Sequence, residues 1–163
     1  MGYTNYPKSD FIRRTIINLT FVDRNQNRDG GPYEFTQLIN SFLMAFIHPK
    51  ALWIKQFPEQ PYPAMRWPVV TTIPIPGHEG RVPTNARELV VRIRDSIAHG
   101  NFEILTAGQG ATADIDAVKL WNTPREDSTT VIWKTDEITV KDLRRILEAF
   151  VPEMLKIAAQ NGE

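Results

Sequence analysis

Apolar residues recur every three or four positions in four stretches of the chain and every second position in three others. From Asp10 to Leu19, Phe11, Thr15, Ile16 and Leu19 share one stripe behind a capping-type Asp10, which predicts a first helix. The polar run from Val22 to Pro32 closes on Gly30-Gly31-Pro32 and predicts a loop. A second helix is predicted over Tyr33 to Ile47, with Phe35, Leu38, Ile39, Phe42 and Phe46 at helical spacing and Pro49 ending it. The third, Asn85 to His99, repeats Leu89, Ile93 and Ile97 every four residues and meets Gly100, a residue suited to stopping a helix. NFEILT, IDAVKLW and TTVIWKT then alternate apolar with polar residues, as strands of a small antiparallel sheet do. A last helix follows Thr135 or Thr139, with Leu143, Ile146, Leu147, Phe150, Leu155 and Ile157 on its apolar side and a kink expected at Pro152.

Between Trp53 and Pro83 stand seven prolines, at 58, 61, 63, 68, 74, 76 and 83. Each lacks an amide donor, so neither a continuous helix nor a central strand fits, and a long surface excursion with one short extended piece, WPVVTTIPI, is expected. The sum is a mainly α fold: a four-helix bundle with a small antiparallel sheet inserted between the third and fourth helices, in a single domain over residues 1–163.

Composition narrows the chemistry. The absence of cysteine removes disulfides, thiolate zinc sites and a cysteine nucleophile. Neither a leader pattern at the amino terminus nor a bilayer-length apolar run is apparent, so a cytoplasmic protein with no membrane contact is expected. Nineteen basic residues balance nineteen acidic ones, which disfavours broad electrostatic coating of nucleic acid and leaves room for a local site. The basic set holds twelve Arg and seven Lys, and Arg is the better fork for phosphate.

The third helix ends VRIRDSIAHG, the one place where a histidine lies among several charged groups. Asp95 and His99 are a turn apart on the same side, so the carboxylate can reach the imidazole, and Arg92 lies nearly beneath His99 two turns earlier. Arg94 points about 140° away, so it reaches a common phosphate only in an open or shared site. Histidine suits proton transfer near neutral pH, but strand cleavage by internal attack needs one group to take a proton and another to give one. One histidine per helix end therefore suggests a two-fold dimer. The competing reading is an ordinary surface cap pair of Asp95 and His99. His48, before Pro49, and His78, in a Gly/Pro loop, lack ligand neighbours, so no metal and no cofactor are expected. Trp53, Trp67, Trp121 and Trp133 are not interleaved with basic residues and read as packing groups.

Arg94-Asp95-Ser96-Ile97-Ala98-His99 resembles the Arg-x4-His signature of the HEPN superfamily, four-helix domains that often dimerise as ribonucleases. FIRRTIINL, YEFTQLINSFLMAFIHP, the IRDSIAHG helix and the strands before a last amphipathic helix extend the resemblance over most of the chain, toward the plasmid- and phage-defence-associated branch. The resemblance implies catalytic roles for Arg94 and His99, an orienting role for Asp95, and substrate contacts from Arg92, Ser96 and, on the first helix, Arg13. It also implies a homodimer, an RNA substrate and an antitoxin or defence partner; the alternative is a non-catalytic module binding RNA, a nucleotide or a protein. Toxins of this kind that pair with a nucleotidyltransferase carry a tyrosine two residues after the histidine, where this chain has Asn101.

Overall fold

A computed structural model describes residues 8–25, 34–47, 51–65, 67–107 and 114–162. The chain divides into two compact units, one formed by residues 1–58 and 147–163 and the other by residues 59–146.

In the first unit, α1 (Lys8–Asn25) packs on α2 (Glu34–Phe42), which passes into a wider π-helical turn at Leu43–Ile47. A short α3 (Ala51–Lys55) follows, and the unit also holds the carboxyl-terminal part of α5 (Val140–Gln160), from Leu147 onward. Aromatic rings set its centre: Phe46 stacks on Phe42 at 4.9 Å and on Phe150 at 4.0 Å, and Phe57 meets Phe150 at 5.1 Å. Asn18 reaches across from α1 to Gln37 of α2, donating at 3.4 Å, whereas Asn40 is exposed. Pro152 sits on the exposed side of α5, where its missing amide deprives only a solvent-facing carbonyl, and the helix runs unbroken through it.

The second unit is built on an antiparallel sheet. β1 (Thr72–Ile73), β4 (Trp133–Thr135), β3 (Asp114–Asn122) and β2 (Phe102–Ala107) lie in that order, and β5 (Ile138–Thr139) also pairs with β3. α4 (Ala86–Ala98) packs against β3. Thr139 starts α5: its hydroxyl accepts from the Asp142 N–H at 3.0 Å.

A four-helix bundle with an inserted sheet does not describe this arrangement, which has five α-helices and five strands among the described residues. Two features account for the correction. The proline-rich segment ends long helices without forbidding single turns, so it follows α3 with two 3-10 turns, Tyr62–Met65 and Glu79–Arg81. It also supplies β1, an edge strand that prolines at 74 and 76 flank without breaking any ladder, so the sheet is not a simple insertion between two helices. Nor is the segment a surface excursion: Trp53, Ile54, Phe57, Trp67, Val70 and Pro83 are buried. No described helix is long and apolar enough to cross a membrane.

Candidate functional site at the carboxyl end of α4

α4 is fixed at both ends by its own sequence. At the start, the Asn85 side chain accepts from the Glu88 N–H at 3.0 Å, and the Glu88 carboxylate reaches back to the Thr84 N–H at 2.7 Å. At the finish, Gly100 adopts φ +69°, its N–H donates to Ile97 O at 3.2 Å, and the Asn101 N–H donates to Ser96 O at 2.8 Å. That pair of bonds is the Schellman closure, which needs a left-handed residue and explains glycine at 100. His99 is the cap between them, at φ −98° and ψ 3°, with its backbone N–H held by Asp95 O at 3.1 Å.

The buried side of α4 carries Ala86, Leu89, Val90, Ile93, Ser96 and Ile97. The opposite arc therefore presents Arg92, Arg94, Asp95 and His99, with His99 exposed and the other three partly so. Arg94 and Arg92 mark its two margins, about 160° apart, and Asp95 and His99 lie between them. Asp95 pairs with Arg94, Nη1 to Oδ1 3.6 Å. No hydrogen bond joins Asp95 to the imidazole, and among the described residues no side chain engages that of His99. Asp95 thus holds the arginine in this structure, where the sequence suggested that it orients the histidine. The Arg94 Nε is buried without an acceptor, an unmet donor beside the pair. Burial first, and then the neighbouring charge of Arg81, lower the pKa of Arg92, while Asp95 and Glu88 act in the opposite direction.

Ser96 belongs to the interior. It is fully buried, and its hydroxyl lies 2.9 Å from Arg92 O and 2.8 Å from Trp121 O while accepting from Asn122 Nδ2 at 3.0 Å. The expected substrate contact is corrected accordingly, because this side chain ties α4 to β3 and has no open face. Asn122 also donates to Arg92 O at 3.2 Å, so two side chains brace the turn that carries Arg94 and Asp95. Asn122 is not marked in the sequence, because a residue at the end of an alternating strand carries no motif. Arg13 stands on α1 in the other unit and is exposed, while the adjacent Arg14 pairs with Asp10 at 2.6 Å. His48 lies outside the described residues. Trp53, Trp67 and Trp133 are buried and Trp121 is half-buried, as packing groups are.

The HEPN pEK499 p136 family model matches residues 1–161, a span that includes the whole of this helix and the elements on either side of it. The chain belongs to that HEPN family. No curated protein and no solved structure matches it. Within this HEPN chain, Arg94 to His99 is the segment that combines an arginine, a polar neighbour and an exposed histidine at a capped helix end.

Proposed function

We propose that this HEPN protein is a metal-independent endoribonuclease, a cytoplasmic toxin or defence effector that cuts RNA at a site shared by two copies of the chain. One observation carries the reading: the imidazole of His99 is exposed and unengaged at a backbone-fixed helix end, beside an arginine already paired with its neighbouring carboxylate. In the proposed reaction one His99 accepts the ribose 2′-hydroxyl proton as that oxygen attacks phosphorus. His99 of a second copy gives a proton to the departing 5′-oxygen. The bond from phosphorus to the 5′-oxygen breaks as the bond to the 2′-oxygen forms, leaving a 2′,3′-cyclic phosphate and a free 5′-hydroxyl. Arg94, whose side chain is about a third exposed, stabilises the charge that develops on the phosphoryl oxygens, with Asp95 pairing its Nη1. Arg92, on the far margin, holds the strand. Asn101 stands where a modifiable tyrosine would, so tyrosine modification by a nucleotidyltransferase antitoxin is not expected.

Purified protein incubated with total RNA and defined oligonucleotides in EDTA tests this. The expected result is cyclic-phosphate ends that disappear in His99→Ala and Arg94→Ala. Cleavage that survives His99→Ala but stops in EDTA would overturn it, and tight RNA binding without any product would select the non-catalytic module.

A further inference from the structure

Trp121 is fastened to the chain on both sides of the turn that carries His99. Its N–H donates to Asn101 O at 3.2 Å, and its carbonyl accepts from the Ser96 hydroxyl at 2.8 Å. Asn101 lies opposite Trp121, one step beyond the Phe102 and Leu120 pair, and follows His99 by two residues. The two Cα steps and the cross-strand gap place the Trp121 Cα no more than about 13 Å from that of His99.

Trp53, Trp67 and Trp133 are buried, whereas Trp121 is half-buried. Side chains alternate along β3, so Val118, Leu120 and Asn122 are buried on the side of α4, which Asn122 reaches, and Lys119 and Trp121 take the other face. The sheet register then sets a cation beside the indole, which the distance between the two residues along the chain hides. Lys134 of β4 stands directly opposite Trp121, and Ile73 of β1 directly opposite Lys134. Such opposed residues share a face, with Cβ atoms about 5 Å apart. Lys119 is answered by Glu137 at 3.6 Å, but Lys134 makes no ion pair among the described residues. An indole with part of its surface open and an unanswered ammonium alongside offers a flat face to a base and a charge to the phosphate next to it.

We propose that Trp121 and Lys134 form a subsite for single-stranded RNA, in which the indole stacks on an unpaired base and the ammonium meets an adjoining phosphate. This rests on reading the carboxyl end of α4 as an RNA-cleaving site. The RNA passes from His99 around the end of the sheet at Asn101 to the face turned away from α4.

The test measures binding of a 2′-O-methyl oligonucleotide, which internal attack cannot cut, by tryptophan emission and across a salt series. The full chain is compared with Trp121→Phe, Trp121→Leu, Lys134→Ala and Lys134→Arg, and with Lys55→Ala as an exposed lysine of the other unit. Binding is expected to quench emission in the wild type and not in Trp121→Leu, since the other three rings are buried. Trp121→Leu weakens affinity about fivefold to a hundredfold, the loss for one stacked base, and Trp121→Phe, which keeps an aromatic face, loses less. Leucine preserves bulk without the aromatic face, so this contrast separates stacking from packing. Lys134→Ala lowers the salt slope by about 0.7, the value for one contact on a single strand. Lys134→Arg keeps the slope, and Lys55→Ala changes neither quantity. Wild-type affinity in Trp121→Leu, equal losses in Trp121→Leu and Trp121→Phe, or no oligonucleotide binding by the full chain would each overturn the subsite. RNA cleavage in EDTA alongside any of these would leave the ribonuclease reading intact. Trp121-dependent binding without cleavage of any RNA would sink that reading and leave the subsite standing.

Discussion

Ser96 shows how one hydroxyl can decide the placement of a surface site. It is buried among Arg92 O, Trp121 O and the Asn122 amide, so removing it leaves the Asn122 Nδ2 and the Trp121 carbonyl short of a partner in the interior. Ser96→Ala is therefore expected to lower stability by about 1–3 kcal/mol, the cost of leaving buried polar groups unmet. The measurement is a urea midpoint at unchanged slope; an unshifted midpoint would show that the brace contributes nothing. At this scale the sequence was informative about kinds of residue and silent about their directions. Asp95 and His99 are placed together by spacing, since a helix puts residues four apart on one side, whereas Arg94 comes in only through the resemblance. The pairing of Asp95 with Arg94, and the burial of Ser96, depend on where β3 lies, which residue spacing within one helix does not encode.

Elements with strong periodicity and matching ends were read closely. α4 runs over Ala86–Ala98 with Asn85 and His99 as its caps, the span expected from Asn85 to Gly100, because cap, stripe and stop all agree there. NFEILT and IDAVKLW match β2 and β3 to within a residue at each end, whereas only the last three residues of TTVIWKT form β4. β1 falls within WPVVTTIPI, where one short extended piece is expected, whereas β5 has only two residues, too short for alternation to reveal, and the proline-rich segment conceals helical turns behind a true breaker signal. The loop between β3 and β4 has its own electrostatic fastening. Asp127 accepts from the Thr129 N–H at 2.8 Å, the Thr129 hydroxyl at 2.6 Å, and the Thr130 N–H and hydroxyl. The Thr129 and Thr130 hydroxyls, more than any other cause, hold this carboxyl well below the usual range. A depressed folded pKa means that the order it confers is fully present above the unfolded value of about 3.9 and is lost as pH falls through the folded one. The protection factors of the Thr129 and Thr130 amides, taken against the intrinsic exchange rate at each pH, should therefore hold from neutral pH down to about 4 and fall only below that. In Asp127→Ala the protection should be missing at every pH; protection that survives the substitution would mean another contact holds the loop.

For the whole molecule, the single imidazole that each chain brings to the end of α4 is the fact with the largest consequence. Charge balance over the chain gives no general affinity for a polyanion, and α4 presents Arg92 and Arg94, the latter weakly paired with Asp95, on the arc that carries His99. The family match and the fold carry the argument as far as a HEPN domain with a capped, exposed Arg-x4-His turn. The proposed cleavage further requires that two such turns meet. The most direct test prepares mixed oligomers by subunit exchange between wild-type protein and His99→Ala at varied ratios, and measures cleavage of a defined RNA in EDTA. A site that needs both histidines predicts that activity falls as the square of the wild-type fraction. Activity that falls in simple proportion to that fraction, or a wild-type protein that cuts no RNA, would contradict the account.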